Sequence, residues 1–129
     1  MEKIQEVFVV LENTPGAAGE MARLLKKKNI DIYAIAMFID FARMHVSNPQ
    51  KTLEALLANG YQAELREALR VQLPNQKGNF MALTQKLGNA GINIDYLYCA
   101  LQEKQKFGTV ILEVDQPDLT MDIFKNHKF

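Results

Sequence analysis

The residues best suited to chemistry lie in one short segment, Glu12-Asn13-Thr14-Pro15-Gly16-Ala17-Ala18, where an apolar, β-branched run gives way to helical spacing. A glycine at the start of a helix lets another molecule approach the backbone closely, and the first helical N–H groups point into that space with the positive end of the helix dipole behind them. A small carboxylate suits such a position. The Asn13 side chain adds an amide that donates to a carboxylate or accepts from an ammonium. The same residues also serve a plainer purpose, because Asn-Thr and Pro-Gly make a turn and cap a helix with no ligand present. At this level both readings stand.

Other chemistry finds little support. The two histidines, His45 and His127, and the single Cys99 show no Cys-x-x-Cys or His-x-x-x-His spacing that would bring metal ligands onto one face. His45, between Met44 and Val46 on an expected strand, reads as a surface or partly buried histidine, and Cys99 as a small hydrophobe in an apolar strand. Gly16-Ala-Ala-Gly19 and Gly88-Asn-Ala-Gly91 are only G-x-x-G, common at helix ends. Glu64 and Glu67 fall in what reads as a polar, solvated linker. No catalytic residue, metal site or cofactor is expected; an enzyme would need a convergent acid–base pair in a cleft.

Composition narrows the partners. The 129 residues carry 15 Lys+Arg against 15 Asp+Glu, so the footprint of non-specific nucleic-acid binding is missing and an anionic membrane is not an expected partner. One cysteine excludes an intrachain disulfide and fits a reducing compartment. The start, MEKIQEVFVV, lacks a signal-like apolar stretch, and no run of about 18 apolar residues occurs, so the chain reads as cytoplasmic.

The elements that must hold the junction emerge from self-alignment at an offset of 62 residues, which pairs residues 15–35 with 77–97. Gly16 meets Gly78; Ala18, Met21 and Leu25 meet Phe80, Leu83 and Leu87; Ile30, Ile32 and Ile35 meet Ile92, Ile94 and Leu97. Each copy begins with an apolar strand (7–11; about 69–73) that breaks at a Pro/Asn/Gly cluster. A helix follows, with Ala18, Met21, Ala22 and Leu25, or Phe80, Leu83 and Leu87, on one face. It stops at Lys28-Asn29 in one copy and at the Gly88/Gly91 pair in the other. A long strand (30–38; 92–101) then turns back as a hairpin (42–46; 107–114). Asn48-Pro49 starts a second helix with Leu53, Leu56 and Leu57 inward, and Pro117 does the same for Leu119, Ile123 and Phe124. Residues 61–65 would form a fourth strand, whereas the second copy reaches Asn126-His127-Lys128-Phe129 where its fourth strand should begin. The expectation is α+β: two tandem βαββαβ units, 1–66 and 67–129, each an antiparallel sheet with helices on one face, the last strand of the second being missing or truncated.

In residues 32–39 apolar side chains occupy both parities, which suggests that the helix-free face is covered by the other copy, a second chain, or both. A homodimer is the expectation.

Asn-x-Pro-Gly after a strand, then a helix and G-[IV]-N-[IV] opening the next strand, resembles the ACT domain, a small amino-acid-sensing module. The first copy shows Asn13-Thr14-Pro15-Gly16 and Asn29-Ile30-Asp31-Ile32, the second Asn75-Gln76-Lys77-Gly78 and Gly91-Ile92-Asn93-Ile94, so the resemblance covers nearly the whole chain as two copies. It implies ferredoxin-like units and regulation by a free amino acid held across an interface between two domains. In the first copy the residues implied are Asn13 and Asp31, with the neighbouring Thr14, Gly16, Ala17, Ala18, Ile30 and Ile32. In the second they are Asn75 and Asn93, with Gln76, Gly78, Asn79, Phe80, Ile92 and Ile94. Asp31 stands where the family has Asn, so it accepts from an ammonium but does not donate to a carboxylate; Leu11 and Leu73 replace the histidine of some relatives, and Lys77 replaces Pro. The two sites are therefore expected to be unequal. The implied protein is a non-catalytic sensor acting on a separate amino-acid-metabolism enzyme or regulator; an interaction module that has lost ligand binding is the alternative.

Overall fold

The computed structural model describes residues 1–125. In chain order it contains β1 (Glu2–Val10), α1 (Ala17–Lys27), β2 (Ile32–Met37), β3 (Phe41–Val46), α2 (Pro49–Ala58), β4 (Ala63–Pro74), α3 (Asn79–Asn89), β5 (Ile94–Cys99), β6 (Phe107–Val114) and α4 (Pro117–Ile123). Among the described residues no helix is long and apolar enough to cross a membrane. The chain folds as two compact units, Gln5–Glu67 (the N-terminal unit) and Met1–Ile4 with Ala68–Phe129 (the C-terminal unit).

In the N-terminal unit the strand order is β2-β3-β1-β4, and β3 is antiparallel to both β1 and β2. Val7 and Val9 alternate inward on β1, as do Ala42, Met44 and Val46 on β3, and they pack with Met21 and Leu25 of α1 and Leu56 of α2. Leu24 joins this core while Ala22 is exposed, so the α1 stripe is rotated slightly from the one expected. On α2 the inward residues are Thr52, Ala55 and Leu56; Leu57, expected inside, is 52% exposed. Asn48 caps this helix as anticipated, its side chain accepting from the Lys51 N–H at 3.1 Å, with Pro49 in the first turn.

The C-terminal unit repeats the plan with α3 and α4 and the strand order β1-β4-β6-β5, its core built from Leu69, Val71, Leu73, Leu83, Leu87, Val110, Leu112 and Phe124. On α4 Leu119 is exposed and Thr120 is buried in its place; Phe80, expected on the core face of α3, is 41% exposed. The expected fourth strand at residues 126–129 lies outside the described residues. Its position beside β4 is held by the beginning of β1: Met1 packs on this core, Glu2 pairs with Arg70, and Lys3 pairs with Asp118.

Two further differences from the sequence reading have local causes. Residues 61–65 and 69–73, expected as separate strands around a linker, form the single 12-residue strand β4. Glu64 and Glu67 are exposed as expected, but from a strand, whose backbone ladder leaves side chains on both faces free to carry charge. The strands after α1 and α3 are shorter than expected. Ile30 N–H donates to the Leu25 carbonyl (2.9 Å) and Ile92 N–H to the Leu87 carbonyl (3.0 Å), which closes each helix and buries the isoleucine before the strand begins.

The face of the N-terminal unit opposite its helices is partly covered by its own side chains. Phe8 stacks on Phe41 at 5.2 Å and Phe41 on Phe38 at 5.0 Å, with the Arg66 guanidinium over Phe8 at 4.2 Å. Beside them the Arg43 guanidinium donates to a Glu6 carboxylate oxygen at 2.9 Å, the two side chains being 9% and 1% exposed. A carboxylate so deeply buried is tolerable only because it is paired.

Glu6→Ala should therefore destabilise the protein by about 3–5 kcal/mol, since it removes one partner of a buried ion pair, while Glu6→Met combined with Arg43→Met should recover most of the loss; chemical denaturation of the single and double variants checks this. Deleting residues 1–4 should lower stability and speed amide exchange in residues 68–74, with much smaller changes in α1 and α2, as read by hydrogen-exchange mass spectrometry.

Candidate functional site

At the end of β1 the chain is fixed on both sides, by Val10 N–H to the Gln62 carbonyl and Leu11 N–H to the Asp40 carbonyl, each 2.9 Å. It then turns through residues 12–16 into α1. Gly16 takes the N-cap position with φ 86°, in the left-handed region where a side chain would be strained. No side chain caps the helix, and Ala17 N–H reaches only back to the Thr14 carbonyl at 3.3 Å. The next N–H groups of the first turn therefore present an open, positive helix end.

This end forms one wall of a cleft of about 570 Å³ lined by Val10, Leu11, Glu12, Thr14, Pro15, Ala17, Glu20, Asn59, Gly60, Tyr61 and Gln62. The opposite wall is the close of α2. Asn59 donates through Nδ2 to the Ala55 carbonyl, Gly60 follows at φ 85°, and Tyr61 N–H returns to the Leu56 carbonyl at 3.0 Å. The negative end of α2 thus shares a space with the positive end of α1, and Glu12 and Glu20 add carboxylates.

Of the residues anticipated in the first copy, Thr14 and Ala17 line this cleft and Gly16 sets their geometry. Asn13 is exposed beside it, and Ala18 lies partly buried in the same turn of α1. Asp31, with Ile30 and Ile32, is elsewhere. Because β1 and β2 are both antiparallel to β3, and Val10 pairs with Phe41 while Ile32 pairs with Val46, Asn13 and Asp31 sit at opposite ends of the sheet, roughly 17 Å apart along β3. Asp31 N–H donates to Ser47 Oγ at 2.9 Å, and Ile30 is a core residue. Asn13 and Asp31 of one unit therefore do not line a common ligand-sized space.

The second copy repeats the backbone and spends it differently. Gly78 holds the N-cap of α3 at φ 90°, again with no side-chain cap. Asn75, however, donates both Nδ2 hydrogens, to the Gln102 carbonyl (2.6 Å) and the Gln105 carbonyl (2.9 Å), and its N–H binds the Lys106 carbonyl (2.8 Å). It clamps the β5–β6 hairpin loop. Gln76 and Phe80 are exposed, and Asn79 Nδ2 donates to the Pro74 carbonyl at 2.8 Å. Asn93 is at the far end of the sheet with the buried Ile92 and part-buried Ile94; its Nδ2 donates to Asp95 (2.8 Å), and its N–H to Asp115 Oδ1 (2.9 Å).

The wall made by Asn59–Gln62, with Glu20, did not emerge from sequence reasoning, and Glu12 entered it only as the first residue of the junction. Gly60 signalled only the end of a helix; that this end returns beside the β1–α1 turn depends on the pairing of β1 with β4. Among groups suited to catalysis, His45 lies half-buried with its ring 5.2 Å from that of Tyr33. Cys99 sits at the end of β5, where partial desolvation holds its thiol above the usual range and disfavours the thiolate. His127 lies outside the described residues. Among the described residues no three His, Cys, Asp or Glu side chains come together as a metal site.

Comparison with solved structures supports the repeat. A protein of Bacteroides thetaiotaomicron superposes with a TM-score of 0.87 at 26% identity, covering 98% of this chain and 89% of that one. The ligand-free regulatory subunit of aspartate kinase from Thermus thermophilus gives a TM-score of 0.66 at 16% identity, covering 100% and 99% of the two chains. The corresponding subunit from Thermus flavus gives 0.63 at 17%, covering 87% and 82%. No curated protein matches the chain significantly. A family model described as an ACT domain pair matches residues 2–129, and with the doubled strand–turn–helix junctions and two ferredoxin-like units in place, the chain belongs to that family.

Proposed function

We propose that this protein is a non-catalytic regulatory module that binds a small free amino acid and acts on a separate enzyme or regulator of amino-acid metabolism in the cytoplasm. One observation carries the reading: in the cleft of the N-terminal unit the uncapped start of α1 and the close of α2 face one space, with Glu12 and Glu20 beside them. A zwitterion matches this arrangement. Its carboxylate suits the first-turn N–H groups of α1, and its ammonium suits the carbonyl end of α2 and the two carboxylates, each interaction being worth about 0.3–1 kcal/mol when exposed. Asn13, exposed beside the cleft, would hydrogen-bond a ligand at the mouth. Asp31 would contribute only from a second domain, which is one reason to expect a homodimer. Two structural relatives are regulatory subunits of aspartate kinase, which supports the regulatory half of the reading.

The C-terminal unit favours a different role. With both amide hydrogens of Asn75 committed to the hairpin loop, it reads as an interaction module that has kept the fold and turned its site residue to structure. Neither nucleic acid nor membrane is a proposed partner.

A thermal-shift screen of the twenty amino acids should raise the melting temperature with one or a few of them. A ligand at a hundredfold excess over Kd adds about 2.7 kcal/mol of stability, and no shift at millimolar concentrations would count against the sensor. Ala17→Glu places a carboxylate where the ligand's should sit while suiting the dipole of α1. It should abolish the shift without lowering the stability of the ligand-free protein. Asn75→Ala should leave the ligand's effect unchanged and speed amide exchange across residues 100–106, which separates the two copies.

A further inference from the structure

The two units end in surfaces of opposite charge. Around the β1–α1 turn of the N-terminal unit, residues 10–20, 37–41 and 59–62 carry Glu12, Glu20 and Asp40 and no lysine or arginine. The pairing of Val10 with Phe41 and of Val10 N–H with the Gln62 carbonyl places these segments at one end of the sheet. The corresponding end of the C-terminal unit, residues 74–81 and 99–107, carries Lys77, Lys104 and Lys106 against the single Glu103. Pairing of Pro74 with Phe107 and the Asn75 clamp on the hairpin loop gather these segments together. All of these charged groups are exposed, and none of the six that set the sign of each end has an ion-pair partner among the described residues.

Each end also exposes large apolar side chains beside its charges. The acidic end has Val10 at 39%, Phe38 at 48% and Ile39 at 73%; the basic end has Phe80 at 41%, Met81 at 57% and Phe107 at 57%. Leu101 packs over Gly108 so closely that a side chain at 108 would collide with it, which sets the hairpin loop carrying Lys104 and Lys106 against β6. Apolar groups rimmed by charge of one sign are the usual make-up of a protein-binding surface. These two surfaces match each other in both respects. The chain as a whole is neutral, with 15 charges of each sign, so the acidic end's complement is present on every copy of this chain.

We infer that the acidic end of the N-terminal unit docks on the basic end of the C-terminal unit of a second copy, with Glu12, Glu20 and Asp40 facing Lys77, Lys104 and Lys106. The contact is heterologous, so it closes into a ring or dimer where the rotation allows and otherwise extends. Opposite potentials steer the encounter and set its register, and the apolar side chains exclude water at its centre. This contact does not depend on the ligand reading, and its test uses the ligand-free protein.

Sedimentation velocity of the full chain over about 1–100 µM, at about 50 mM and about 500 mM salt, should show concentration-dependent association that weakens roughly tenfold or more at the higher salt. Glu12→Lys with Asp40→Lys should weaken it at least tenfold, and so should Lys77→Glu with Lys106→Glu. An equimolar mixture of the two charge-reversed proteins should restore it, because each then carries the complement of the other. Restoration also shows that both variants are folded. A monomer throughout the range, association indifferent to both reversals, or a mixture that fails to associate would each overturn the proposal.

Discussion

Two helices can bury their apolar stripes only on a sheet wide enough to receive them, and the need for a fourth strand in each unit is the constraint on which this structure depends. A unit of about 62 residues buries only about 60% of its unfolded surface, so an open edge beside the core is a loss it cannot absorb. The first copy meets the need from its own segment, with residues 63–67 of β4. The second meets it from the far end of the chain, where residues 2–4 of β1 lie beside β4 and Met1 enters the core. Residues 1–4 thus belong to the unit built from the second copy.

The same architecture produces two chemically different junctions. Gly16 and Gly78 adopt nearly the same left-handed geometry, with φ 86° and 90°, and both following helices start without a side-chain cap. What differs is the neighbouring hairpin. In the first copy the β2–β3 turn is short, the chain leaving β2 at Met37 and entering β3 at Phe41, and it does not reach Asn13. In the second the loop from Cys99 to Phe107 is long enough to fold back, and its carbonyls take the amide of Asn75. A buried or half-buried amide satisfied by main-chain carbonyls holds a loop; an exposed one is available to a ligand. Loop length, not the asparagine itself, separates the two roles.

Much of the fold was legible because it is local. Helix stripes, the Asn48-Pro49 cap, the glycine N-caps and both hairpins follow from spacings of two to four residues, and the repeat made each observation twice. Errors came where a local pattern had two meanings. Glu64 and Glu67 looked like a linker, yet both belong to the continuous strand β4, on its two opposite faces. Leu57 and Leu119 looked inward by type, while Thr52 and Thr120 fill those places with hydroxyls that donate to the Asn48 and Gln116 carbonyls at 2.8 Å, satisfying their polar groups inside the helix. The candidate site was half legible: its α1 wall is a contiguous motif, and its α2 wall is not.

By itself the sequence determined the number of repeats, the type and order of nearly every element, and the position of the two junctions, since each rests on periodicity or on a glycine at a helix start. Tertiary structure alone decided that residues 2–4 complete the C-terminal unit, that Asn13 and Asp31 stand at opposite ends of a sheet, that the close of α2 faces the start of α1, and that Asn75 is already engaged. Those outcomes depend on strand direction and on which segments pair across tens of residues. Such pairing is set by the sum of many weak contacts over the whole unit, and no short window of sequence contains it.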